Sequence, residues 1–591
     1  MRWFQMLLSN NSMKKYVIIF ISLFLCTTIL AQEDVTDFET VFEQTKGDST
    51  ATYEQTIQFY KKLAKSYPEI KIQKIGMTDA GIPLHLVLFD VDKNFNPLET
   101  RKNTILINNG IHPSEPDGVD ASMLFLRDLV QSETLKKEYE QIIIAIIPMY
   151  NIGGSLNRNS TSRVNQNGPL EYGTRGNTHN YDLNRDFIKS DTKNTEAFTK
   201  IFQMVNPDVF IDNHVSNGAD YQYTLTHLFT QHNKMGGSLG EFIEENMIQN
   251  IERNLKNKDL IITPYVNVFN QVPEKGFTQF FDSPRYSTGY TSLFNSLGLV
   301  VENHMLKPYK DRIEQNYELL FSTLDFLKLY SYEVKTLRQK AVEETLAKET
   351  YPIQWKIDST HFSTLNFHGY EGEFIKSEVT GLKHLKYNRS KPFTKSVSYF
   401  NEYKPVKEIS IPNFYIVPKR LHKVVTLLRQ NRIQLLPLKE DTEMQVEKYT
   451  IDSYETVKSP FENHYLHYNT EVTATITMQQ FKKGDFLVPT NQPGLKYLLE
   501  TLEPEAVDSF FNWNFFDIIL QRKSWFSPYV FEDVAKEILE NNPKLKVEFD
   551  LKKEYDSDFA NNSNAQLDFI YQHSKYAEKS YMSYPIYRIL K

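Results

Sequence analysis

Asn103-Thr-Ile-Leu-Ile-Asn-Asn-Gly-Ile-His-Pro-Ser-Glu115 joins an apolar strand, residues 103–109, to a loop that carries His112 and Glu115 three positions apart. A second apolar strand, residues 208–212, is followed closely by a lone histidine in Asp212-Asn213-His214. Two imidazoles and one carboxylate form the ligand set of a catalytic Zn²⁺ that keeps its fourth position open for water. A close pair with a distant third ligand suits an α/β sheet, because loops at the ends of separate strands converge in space. An H-x-x-E pair alone is weak evidence, since surface loop residues and a strand-end histidine read the same way. Its company in the sequence gives it weight.

That company is Tyr-Asp-Leu-Asn-Arg-Asp-Phe at 181–187 and Leu-Val-Val-Glu-Asn-His at 299–304. The order H-x-x-E, Asn-Arg, His, and then Glu at the end of an apolar strand resembles the zinc metallocarboxypeptidases of the M14 family, over roughly residues 50–335. The resemblance implies one Zn²⁺ per chain, with His112, Glu115 and His214 as ligands. It implies that Asn184 and Arg185 bind a substrate's terminal carboxylate and that Glu302 is the general base. It also implies an arginine that polarises the scissile carbonyl, matched by Arg163 with Arg158 as a competitor.

These roles have physical reasons of their own. A carboxylate such as Glu302 can take the proton of a water whose pKa the metal has lowered. A cation such as Arg163 stabilises the oxyanion that develops. Arg185 offers a planar fork of donors suited to a bidentate grip on a carboxylate. The run Leu297-Gly298-Leu299-Val300-Val301 reads as a buried parallel strand with Glu302 at its carboxyl end, where ligands bind in open α/β sheets.

The chain also departs from the family pattern. Its third ligand is followed by Val215-Ser216-Asn217-Gly218, unlike the Ser-containing loop of well-known members. The tyrosine that covers the substrate in that family has two candidates, Tyr286 and Tyr290, and Arg285 beside them reads equally as pocket lining or as a solvated loop charge. Asp182-Leu183-Asn184-Arg185 also matches zinc deacylases that remove acyl groups from amino acids, which makes such an amidohydrolase the alternative enzyme. A catalytically silent protein that captures peptide or glycan ends is the alternative of a different class.

The 591 residues allow several domains, and the net charge of −7, with no basic stripe, gives no reason to expect nucleic acid. Lys14 and Lys15 precede the apolar run 16–30, and Ala31 ends it, the marks of a secretory signal peptide at 1–31. A secreted or periplasmic protein with a peptide substrate, and no membrane span once the signal is cleaved, is therefore expected. The single cysteine, Cys26, lies inside that segment, which excludes a thiol nucleophile from the mature chain.

Periodicity supports an α/β catalytic unit over 50–340, with a mixed central sheet flanked by helices in the zinc carboxypeptidase manner. A helix is expected over 117–130 with Asp117 as its N-cap, a central strand over 141–149, a long loop over 151–180 and one long helix over 307–340. Residues 345–591 read as an α+β accessory region of unknown role, dispensable for metal binding, with strands near 414–418, 433–438, 472–478 and 485–489 and a helix over 421–431. The aromatic run 510–516 reads as a core cluster or a binding platform, and His464 with His467 as structural, for want of a third ligand.

Overall fold

The computed structural model describes residues 38–591, so the expected signal segment lies outside the described residues. The central sheet contains β1 (Ile70–Met77), β2 (Pro83–Phe89), β3 (Asn103–Asn108), β4 (Ile142–Ile147), β5 (Val209–Ser216), β6 (Leu225–Phe229) and β7 (Thr263–Pro264). After β8 (Phe277–Thr278), which pairs elsewhere, β9 (Leu297–His304) completes it. The strand order is β1-β2-β4-β3-β5-β9-β6-β7. β4, β3, β5 and β9 run parallel, β1–β2, β2–β4 and β6–β9 pair antiparallel, and β6–β7 pair parallel, so the sheet is mixed as expected. The chain passes from β3 to β4 on one side and then returns to β5 on the other. Such a switch leaves a crevice at the strands' carboxyl ends.

β3 and β4 are buried along their whole length because both faces of the sheet are covered. Alternate residues feed two cores. Ile105, Ile107, Ile144, Ile146 and Ile211 face helices Tyr53–Ser66, Asp117–Gln131 and Tyr309–Leu329. Leu106, Ala145, Ile147 and Phe210 face helix Lys193–Val205 and, beyond it, the second half of the chain.

Two local expectations need correction. Asp117 does not cap its helix: Pro116 holds the N-cap position, and the Asp117 carboxylate pairs in the interior with Arg312 at 2.9 Å. The helix start is pressed against β5 so closely that a Cβ on Gly118 would lie 2.2 Å from the Cβ of Asn213. The single helix expected over 307–340 is two, Tyr309–Leu329 and Ser331–Leu346. They break at Tyr330, whose ring packs against Phe242 and Phe326 at 5.5 and 5.3 Å.

The second half adds β10 (Thr350–Ile357), the hairpin β11 (Ser363–Lys376) and β12 (Lys383–Phe400), and β13 (Tyr403–Ser410). β10 pairs with β13, and the end of β12 pairs with β8. A six-stranded sheet follows from β14 (Phe414–Val417), β15 (Leu436–Pro437), β16 (Thr442–Thr456), β17 (His467–Phe481), β18 (Phe486–Pro489) and β19 (Ser583–Ile589). The strand expected over 433–438 shrinks to β15, and that over 472–478 is the middle of the longer β17. Helix His422–Gln430 forms as expected, and helices between Pro528 and Gln572 enclose a small core of their own.

The halves are not separate bodies. One hydrophobic core contains Leu106, Phe210 and Tyr290 from the first half together with Tyr415, Leu428, Phe510 and Trp513 from the second. Phe510, Phe511 and Trp513 are fully buried, so the aromatic run is core rather than platform.

Candidate metal centre and cleft

The parallel strands β3, β5 and β9 lie side by side with their carboxyl ends together. The loop after β3 turns within His112-Pro-Ser-Glu115, closed by a hydrogen bond from the Glu115 N–H to the His112 carbonyl at 2.8 Å. His214 lies within β5 rather than beyond it, and pairs in register with Glu302 on β9. His112, Glu115 and His214 are buried, and their ligand atoms all lie within 4.8 Å of one another.

The donor set fits a metal ion. Glu115 spans the two imidazoles, its Oε1 3.3 Å from His112 Nδ1 and its Oε2 3.2 Å from His214 Nδ1. Each ring turns its other nitrogen to a carboxylate: His112 Nε2 lies 2.9 Å from Asp182 Oδ1, and His214 Nε2 lies 2.9 Å from Asp212 Oδ2. A carboxylate on the far nitrogen fixes the tautomer and leaves the near one free to ligate. Both Nδ1 atoms thus converge on Glu115.

The electrostatics follow from burial. Desolvation alone would raise the Glu115 carboxyl, but Arg163 and then His112 hold it well below the ordinary range. Desolvation would lower the His214 imidazole, yet Asp212 foremost, then Glu115 and Glu302, push it well above its usual value. Glu302 is partly buried at the cavity wall, and desolvation, assisted by Glu115 against the pull of His214 and the arginines, raises its carboxyl to about 7.

These groups line a cavity of about 300 Å³ that also contains Asn184, Arg185 and Tyr286. The Tyr286 ring covers the Arg185 guanidinium at 4.5 Å, and Asn184 Oδ1 accepts the Ser287 N–H at 3.1 Å. Tyr290 is fully buried and donates to Asn431 at 2.6 Å, so of the two tyrosines only Tyr286 faces the cleft. Arg163 reaches the centre, bonding Glu115 and the Val215 carbonyl. Arg158 turns away to the carbonyls of Thr50 and Glu171. Arg285 lies outside the cavity lining, held by Asp508 at 2.7 Å and stacked over Trp513. His464 and His467 pair with different carboxylates, Asp191 and Asp517, and do not converge.

Three contributors escaped the sequence reading. Arg175, about half exposed, approaches His112 Nδ1 at 3.3 Å and Glu115 at 3.4 Å while Asp182 holds it at 2.8 Å. Its signal was a glycine-flanked arginine, Gly173-Thr-Arg-Gly176, just upstream of Asp182-Leu-Asn-Arg185. Asp182 and Asp212, the carboxylates behind the histidines, were in plain view. Asp212 precedes His214 by two residues, which puts both on one face of a strand.

Residues 56–210 match the family model described as zinc carboxypeptidase, a span that includes His112, Glu115, Asn184 and Arg185 and stops short of His214 and Glu302. Among solved structures, a metallo-carboxypeptidase from Burkholderia cenocepacia is similar at 15% identity and a TM-score of 0.36, over 47% of this chain and 70% of that one. Carboxypeptidase A from Helicoverpa armigera is similar at 13% identity and a TM-score of 0.38, over 51% and 78% of the two chains. No curated protein matches the chain.

Proposed function

We propose that the chain is a zinc-dependent metallocarboxypeptidase that hydrolyses the C-terminal peptide bond of a peptide substrate. The observation that carries this reading is the convergence of His112, Glu115 and His214 with Glu302, Asn184 and Arg185 on one cavity. Zn²⁺ held by the two Nδ1 atoms and the Glu115 carboxylate would supply a Lewis acid and lower the pKa of a water in the cavity.

The chain's own groups do the rest. Arg185, aided by Asn184, takes the substrate's terminal carboxylate, with the Tyr286 ring closing over it. Glu302, whose raised pKa suits proton transfer near neutrality, takes a proton from the attacking water and passes it to the leaving amine. Arg163 has both terminal nitrogens engaged by Glu115 and Val215, so it holds the ligand. Arg175, half exposed and likewise engaged by Asp182, His112 and Glu115, is a second guanidinium beside the centre, and either cation can stabilise the developing oxyanion. Export is part of the proposal, on the strength of Lys14-Lys15, the apolar run 16–30 and Ala31. Among the described residues no helix is long and apolar enough to cross a membrane.

The test is mass-spectrometric product analysis of paired free-acid and C-terminally amidated peptides. Amidation removes the carboxylate that Arg185 is proposed to grip, so kcat/KM should fall by about 10²-fold or more. Equal cleavage of both forms would reject the exopeptidase reading, and activity confined to N-acyl amino acids would transfer the site to the deacylase class.

A further inference from the structure

The cleft is lined from the first half of the chain, but one of its key segments is held from the second. Asp182 is the hub of that segment. Its Oδ1 meets His112 Nε2 and the Asn184 N–H, both at 2.9 Å, and its Oδ2 takes the Arg175 guanidinium at 2.8 Å. The Asp182 backbone N–H donates across the molecule, to Glu462 Oε2 at 2.9 Å.

Glu462 occupies an unusual place. Phe461 and His464 pair through two backbone hydrogen bonds of 2.7 and 3.0 Å around a two-residue turn. Both central residues are left-handed, Glu462 at φ 49° and Asn463 at φ 65°. Such a turn favours Asn, Asp or Gly at each central position, and a glutamate there is unfavourable in backbone terms. The turn is anchored on both flanks. Phe461 stacks on Trp513 at 6.1 Å, and His464 Nε2 reaches Asp191 at 2.7 Å. The position gains reach from glutamate, because its carboxylate is long enough to meet the Asp182 N–H. Unfavourable backbone kept at one residue is a mark of a functional constraint.

We infer that Glu462 is a positioning residue of the metal centre, fixing Asp182 and through it the orientation of His112. The inference rests on the reading of His112, Glu115 and His214 as metal ligands.

The full-length Glu462→Asn variant separates this role from a merely structural one. Asparagine is at ease in the left-handed region but cannot reach Asp182, so the melting temperature of the metal-free protein, read in excess chelator, should hold or rise. Zinc affinity, measured by competition with a chromogenic chelator, should fall about 3- to 10-fold, below the loss expected when a carboxylate touching the ligand itself is removed. The kcat should fall by a similar factor with KM little changed. Glu462→Gln keeps an acceptor at the same reach and should stay within about twofold of the parent in both. Wild-type zinc affinity and kcat in Glu462→Asn would overturn the inference, as would a loss in Glu462→Gln equal to that in Glu462→Asn. A fall in the melting temperature of the metal-free protein accompanying the loss of zinc affinity would overturn it too, since structure alone would then account for both. A parent chain that binds no zinc would reject the metal-centre reading itself.

Discussion

The two faces of the central sheet are closed in different ways. One is covered by helices and flanking segments from residues 38–346 alone, with Ile105, Ile107 and Ile211 packed beneath them. The other, bearing Leu106 and Phe210, is covered by helix Lys193–Val205 and then by Tyr415, Leu428 and Trp513 from the second half. The chemistry of the cleft therefore belongs to one half of the chain, while its support belongs to both. Asp508 holds Arg285 beside the cleft tyrosine, and Asn431 holds Tyr290 behind it. A region that reads as an accessory is part of the foundation.

The largest effect should come from cutting that shared face open. A chain ending at residue 340 uncovers Tyr290 and the outer side of helix Lys193–Val205, both packed in a core shared with the second half, and should fail to fold, recovered only as aggregate. A soluble, zinc-loaded product with native-like circular dichroism would show that the first half stands alone. Next in size, Glu302→Gln keeps its shape but removes the base, so turnover should fall by about 10²-fold or more while zinc stays bound. The parent should also lose kcat/KM as pH falls. Glu302 must be ionised to accept a proton, and desolvation by burial raises its carboxyl to about 7. A bound dication favours the carboxylate, so the acid limb should lie below 7 and should be absent from the residual activity of Glu302→Gln. The smallest effect concerns the carboxylates behind the ligands. Asp212→Asn should weaken zinc binding about 10- to 100-fold, read by chelator competition, with no change in the fold. Unchanged affinity would mean that the His214 ring is oriented by strand packing alone.

The legible part of the molecule was the part written in short range. β3, β4 and β9 announce themselves as continuous apolar runs because both their faces are buried, and the H-x-x-E loop follows directly from one of them. The long hairpins β11–β12 and β16–β17 gave little signal, since much of their surface on both faces is exposed and no clean alternation results. Tyr286 and Tyr290 could not be separated by spacing, because the deciding facts are distant in sequence: Arg185 beneath one and Asn431 against the other. The same holds for Arg175, whose loop acquires a place only when Asp182 pins it. Asp117 looked like a cap because local rules know nothing of Arg312.

The pairing of His214 with Glu302 across β5 and β9 sets a ruler into the site. Neighbouring strands sit about 4.8 Å apart, and residues opposite one another in a parallel pair project to the same side. The offset between the proposed ligand His214 and the proposed base Glu302 is therefore fixed by the backbone lattice of the sheet, independently of the surrounding loops. A slip of one residue would bring Val301 or Asn303 opposite His214 and turn the carboxylate to the far face. Loops around this cleft can lengthen, shorten or change sequence, and so reshape the cavity, without altering the spacing on which the proposed proton transfer depends.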